Sequence, residues 1–259
     1  MENLKSADGC DSIVNHTVVV RPIVRNDYYV KEGGSGSGNG RNWANAMDST
    51  DFAAYLSLAP EGATFHVAAG TYKPKYGPGL KKTNDPKELC YEINSKVTII
   101  GGYPADAKEN EVSEPDKYKT VFNGDVKHDN EVDYNGAYGA KYTYLNYNDN
   151  IVSMFSQNAD LNLQGVDITG CFVSSTKTIG TILMNKENLK LNLYMVDFVG
   201  NTTCIQGSGY SEIVVDSCRF EKNVACGSNG GAITSAYDAT LIVRNSFSIN
   251  VIRVIMEEL

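Results

Sequence analysis

The sequence predicts an all-β solenoid whose N-terminal end is closed by one short helix. Two observations carry this expectation. The first is a strand pattern that recurs through the second half of the chain: 161–171 (LNLQGVDITGC), 191–201 (LNLYMVDFVGN), 213–223 (IVVDSCRFEKN) and, one residue shorter, 241–250 (LIVRNSFSIN). Its starts lie 30, 22 and 28 residues apart, and alternating apolar positions at such periods mean one coil per repeat, each burying its face against its neighbours. The second is a series of short apolar strands in the first half, 64–68, 97–100 and 120–122, each running into a glycine turn.

Composition narrows the field. The chain has 259 residues, 42% of them hydrophobic and 21% charged, enough for a substantial core. A net charge of -8 lacks the basic footprint of a nucleic-acid binder and gives no attraction to an anionic membrane surface. There is no run of about 18 apolar residues, so no membrane-spanning segment is expected. The 16 Tyr and 24 Gly suit exposed strands joined by tight turns.

Taken in order, residues 1–22 contain one valine-rich strand stopped by Pro22, expected to be an irregular arm or the remnant of another domain, with 23–27 as a linker and 28–259 as the solenoid. The stretch from Gly9 to Pro22 resembles the last strand of the Ig-like repeats of large secreted bacterial surface proteins. Tyr28 to Val30 reads as a strand. The Gly33–Gly40 loop lacks the lysine and spacing of a phosphate cradle and reads as a surface turn. A helix follows, capped by Ser49 or Thr50, with Phe52, Tyr55 and Leu56 on one apolar face and Pro60 beyond its end. Such a helix serves as a lid over the end rung.

Tyr29-Val30, 43–46 (WANA), 67–72 (VAAGTY), 99–104 (IIGGYP) and 123–125 (NGD) together resemble the opening module of right-handed parallel β-helix (pectate-lyase-like) domains of secreted bacterial proteins. Residues 220–223 (FEKN), 230–233 (GGAI) and 247–250 (FSIN) resemble the repeats of polymorphic outer-membrane proteins. The resemblance implies a right-handed parallel β-helix, displayed at the cell surface or secreted, in an adhesin-like or glycan-binding role. Its partners would be a polysaccharide, or a glycan or protein on a host or neighbouring cell. No further coil or cap is legible after Asn250, so the solenoid is expected to be truncated there.

Within the repeats, Asn201, Asn223 and Asn250 share one position and are expected to form an inward amide ladder, with Cys171 in the same place one rung earlier. Phe198, Phe220 and Phe247 are expected to stack in the core. Cys171 and Cys218 read as small buried hydrophobes, while Cys204 and Cys226, one coil apart, could stack or form a disulfide.

Chemistry is expected in three places. The long irregular stretch 124–150 carries Asp125, Asp129 and Asp133, hard oxygen ligands for calcium although not at EF-hand spacing. It also carries Tyr134, Tyr138, Tyr142, Tyr144 and Tyr147, whose rings could stack on sugars. No other cofactor is expected. If the chain is a polysaccharide lyase or glycoside hydrolase, its catalytic groups are expected at Asp197, Asp216 and Arg219. Cross-rung ion pairing explains Asp167, Asp197 and Arg219 equally well. A structural stalk with no ligand is the third alternative.

Overall fold

The computed structural model describes residues 3–5, 11–13, 26–133, 143–172, 179–224, 231–249 and 255–256. The chain is mostly strand, and the strands lie in two parallel sheets. In the longer sheet, the strands Asp27–Val30, Ala63–Ala68, Val97–Tyr103, Leu161–Thr169, Lys190–Val199, Glu212–Asp216 and Thr240–Arg244 are neighbours in chain order. The second sheet stacks Tyr91–Ile93, Phe155–Gln157, Ile182–Met184, Ile205–Gln206, Ile233–Ser235 and Ile255–Met256, again in chain order and parallel. Each strand pairs with the next at one fixed interval. Leu161 lies opposite Leu191, Leu191 opposite Ile213, and Ile213 opposite Leu241.

Alternation decides which side chains enter the core. In Leu161–Thr169 the residues Leu161, Leu163, Val166 and Ile168 are buried, and Asn162, Gln164 and Asp167 face outward. The switch of face falls at Gly165, whose backbone is left-handed. The same bend recurs one rung on at Met195, then at Ser217 and Asn245 (φ 53°, 55° and 48°). A second left-handed column runs through Gly170, Gly200 and Lys222, and a third through Asn188, Tyr210 and Asp238. The chain therefore bends at the same places on successive rungs.

Past the second bend lies the amide ladder. The Cys171 N–H donates to Asn201 Oδ1 (3.0 Å) and the Asn201 N–H to Asn223 Oδ1 (2.9 Å). The side-chain amides of Asn201 and Asn223 donate to the carbonyls of Ile168 and Phe198, both at 2.8 Å. Both Asn side chains are fully buried, so each rung satisfies the polar backbone of the one before it. Asn250 lies outside the described residues.

Phe198 and Phe220 stack with centroids 5.0 Å apart. Phe247 does not join them. It pairs with Arg219, while Ser248 takes the place opposite Phe220, and Phe247 is 55% exposed. The last repeat is one residue short, and a one-residue slip in a strand turns each side chain to the other face.

At the N-terminal end the helix Ser49–Ser57 buries Phe52, Ala53 and Leu56. Its cap is Asp48, which accepts from the N–H groups of Thr50 and Asp51 (both 2.8 Å), rather than Ser49 or Thr50. Tyr55 lies outside the buried face, 43% exposed, with its ring edge on Tyr28. The strand begins at Asp27, inside the expected linker. Asn3–Lys5 pairs antiparallel with Asp11–Ile13. The rest of the proposed Ig-like stretch lies outside the described residues.

Among the described residues, Cys90, Cys171, Cys204 and Cys218 are free and buried, so Cys204 is not bridged; Cys226 lies outside them. Burial pushes the Cys171 thiol up to about 12 and Cys218 up to about 11, which makes them inert packing groups.

Candidate functional site

Four groups of outward side chains are positioned by this register. The first is a charged row. Asp167, Asp197 and Arg219 stack in one column on the outer face of the long sheet. Arg219 donates to Asp197 Oδ2 from Nη2 (2.7 Å) and Nε (3.2 Å), and from Nη1 to Glu221 Oε2 (2.6 Å). Lys119 lies 3.5 Å from Asp167 and 4.0 Å from Asp197. Burial raises the Asp167 carboxyl above its ordinary value, with Lys119 pulling the other way. The hydrogen bond to Asp197 helps hold Arg219 in its charged form. Asp216 is not part of this row. It stacks on Tyr194, three residues upstream of the Asp197 column, and accepts from Ser217 and Asn245 (both 3.0 Å). Of the expected catalytic set, Asp197 and Arg219 come together, and the second carboxylate beside them is Asp167.

The second group is acidic. Asp125, Asp129 and Asp149 bring carboxylate oxygens within 4.8 Å of one another. Asp149, from the far end of the irregular stretch, takes the place expected of Asp133, which lies in the strand Glu131–Asp133. Asp125 already serves the turn: its oxygens accept from the N–H groups of His128 (2.7 Å), Asp129 (3.4 Å) and Asn130 (3.2 Å). Asp149 accepts from the Lys127 N–H at 3.0 Å. The Lys73 ammonium nearby donates to the Val126 carbonyl (2.8 Å) and lies 2.9 Å from His128 Nε2. Burial lowers the Lys73 amine, and Asp125 opposes that shift. This arrangement closes a turn and leaves carboxylate lone pairs for a hard cation.

Of the expected sugar-stacking tyrosines, Tyr134, Tyr138 and Tyr142 lie outside the described residues. Tyr144 belongs to the strand Thr143–Leu145. Tyr147 packs on Phe172 with centroids 4.3 Å apart, so its ring is engaged within the chain.

The third group consists of stacked amides. Asn94, Asn158 and Asn185 each follow a strand of the second sheet. Asn158 Nδ2 donates to Asn94 Oδ1 (2.9 Å) and Asn185 Nδ2 to Asn158 Oδ1 (3.1 Å). On the long sheet Asn192 donates to Asn162 (2.7 Å), and Asn162 to Thr98 (3.1 Å). The signal for the first ladder was present as an Asn directly after each short strand.

The fourth group is a pair of exposed rings. Tyr210 and Tyr237 meet edge to face with centroids 5.5 Å apart, beside Glu187. Sequence reasoning missed them because the residues come from three different repeats. No family model, curated protein or solved structure matches the chain.

Proposed function

We propose that the chain forms a right-handed parallel β-helix in a secreted or cell-surface protein and binds glycans without cleaving them. Constant register between successive parallel strands, the recurring left-handed bends and the buried Asn ladder support the solenoid. One observation carries the function: the charged row is closed on itself. Asp167, Asp197 and Glu221 each lie against Lys119, Arg219 or Lys222. The outward groups beside that row are columns of amides and hydroxyls, suited to hydrogen-bonding a polyhydroxyl chain laid along the stack.

A polysaccharide hydrolase is the second reading, favoured by the adjacent Asp167 and Asp197 carboxyls. Asp167 is raised by burial and Asp197 is paired with Arg219, the kind of division that separates an acid from a base.

The test exposes the chain to a panel of plant, host and microbial polysaccharides, with and without calcium. Retention and product release are measured together. Retention without reducing ends or unsaturated products is expected. Product from any polysaccharide would overturn the binding reading in favour of the enzyme. Loss of all retention would leave a stalk.

A further inference from the structure

Three successive rungs meet at one exposed corner. The strands Lys190–Val199, Glu212–Asp216 and Thr240–Arg244 pair so that Lys190, Glu212 and Thr240 are aligned. Counting back along each turn places Glu187, Gly209 and Tyr237 in one column and Asn188, Tyr210 and Asp238 in the next. All three residues of the second column are left-handed, with φ of 60°, 54° and 53°. Asn and Asp tolerate that conformation, whereas a tyrosine there is strained by about 1–2 kcal/mol. The Tyr210 ring is nevertheless 53% exposed, so core packing does not explain its placement.

The surroundings have the form of a notch. Tyr237 is 42% exposed and stands at 87° to Tyr210. Its hydroxyl donates to Glu187 Oε1 at 2.8 Å, and the second oxygen of Glu187 has no hydrogen-bond partner among the described residues. Gly209 lies beneath the Tyr237 ring, where a Cβ would come within 3.1 Å. The Tyr210 N–H bonds the Tyr237 carbonyl and the Asn188 N–H bonds the Gly209 carbonyl, both at 3.2 Å, so the three turns hold one another in place.

We propose that Tyr210, Tyr237 and Glu187 form a subsite for one neutral pyranose ring of a glycan. The sugar's C–H face lies on the Tyr210 ring, and its hydroxyls donate to Glu187. An aromatic face offers apolar contact at low entropic cost, and a carboxylate with a free oxygen fixes the orientation. The Glu187 and Asp238 carboxylates select a neutral sugar over an acidic one. This assignment rests on the glycan-binding reading above and gives it a place.

The test uses the full chain labelled with 3-fluorotyrosine and titrated with the methyl pyranosides of glucose, galactose and mannose, with sorbitol as an acyclic control. Saturable shifts of the Tyr210 and Tyr237 fluorine resonances are expected with at least one pyranoside and not with sorbitol. Glu187→Gln should weaken that binding about tenfold, equivalent to about 1.4 kcal/mol. Tyr210→Gly keeps the left-handed turn; it should melt no lower than the parent chain and abolish the Tyr237 shift. Silent rings would overturn the subsite even if the chain is retained on a polysaccharide. Shifting rings in a chain that no polysaccharide retains would keep the subsite and remove the wider function. A Tyr210→Gly chain that is destabilised and still shows the Tyr237 shift would assign the ring to packing and sink the proposal.

Discussion

The two ends of the long sheet solve the same problem differently. At the N-terminal end the rungs are irregular. The strands at Ala63, Val97 and Leu161 are separated by long excursions, and the interior is filled by large rings: Phe52, Phe65, Tyr72, Tyr91, Phe122 and Phe155 are all fully buried. The polar backbone at the bend there is met by a single buried hydroxyl: Thr120 Oγ1 donates to the carbonyls of Val67 and Ala68 (both 3.1 Å) and accepts from the Gly102 N–H (3.0 Å). From Leu161 onward the rungs are regular, the interior is aliphatic with one stacked Phe pair, and the bend is met by the Asn ladder. Where successive coils repeat, one residue type can be reused rung after rung. Where they do not, each gap needs its own filler, and aromatic rings fill large irregular spaces.

That contrast places the largest expected effect at the lid. Phe52 touches Phe65, Tyr72, Tyr91 and Phe122, with centroids 5.1–6.4 Å apart. Phe52→Ala removes the ring that closes the irregular end and should cost about 3–5 kcal/mol in denaturant unfolding. If the cost is below about 1 kcal/mol, the aromatic end is not the keystone described above.

The next effect falls on the ladder. Asn201→Ala strips a partner from the buried Cys171 N–H and the Ile168 carbonyl together. A loss of about 2–3 kcal/mol is expected, from the cost of burying unsatisfied backbone groups. Amide hydrogen exchange should quicken at Cys171 and Asn201 and stay unchanged at the lid, since neighbouring rungs are coupled through this column. Equal quickening at Thr120 would mean that the two ends do not differ in how they satisfy their bends.

The repeating half was the more legible in sequence for the same physical reason that makes it regular. Alternation with a period of two, repeated at 30, 22 and 28 residues, fixed the register and the ladder from Leu161, Asn201 and Asn223 alone. The method failed where one residue was missing, and Phe247 was turned outward by that slip. It also failed where partners come from distant segments. Asp149 stands 24 residues from Asp125, and neither spacing nor pattern predicts that a turn brings them together. Glu187, Tyr210 and Tyr237 were invisible because their meeting depends on unequal coil lengths, which only the pairing of strands resolves. The helix cap was misplaced by one residue because Asp48, Ser49 and Thr50 are all competent caps and geometry selects among them.

A smaller effect tests whether the regular half tolerates its own exceptions. Met195 occupies a left-handed bend that neighbouring rungs fill with Gly165, Ser217 and Asn245. Met195→Asn substitutes a side chain suited to that backbone and should stabilise the chain by about 0.5–1 kcal/mol in thermal unfolding. Destabilisation would show that the partly buried Met side chain contributes more than the bend costs.

The smallest effect concerns the charged row, and pH reveals it better than a single stability value does. Burial holds the Asp167 carboxyl above its ordinary value, against the pull of Lys119. The folded chain therefore binds that proton more tightly than the unfolded chain. Its contribution to stability is greatest when Asp167 is protonated in both states. That contribution declines as pH rises from about 4, the ordinary carboxyl value, through the raised folded value. Asp167→Asn removes the titration while keeping an amide of nearly the same shape, in a sheet where Asn162 and Asn192 already stack as amides. At pH 7 the variant should match or slightly exceed the parent, by about 0.5 kcal/mol at most, since a partly exposed ion pair is worth little. At pH 3 that advantage should vanish, because the parent's carboxyl is then neutral as well. An advantage that stays constant between pH 3 and 7 would show that burial does not govern this carboxyl. A loss that grows toward pH 7 would show that its pairing with Lys119 outweighs desolvation and that the row stabilises the sheet directly.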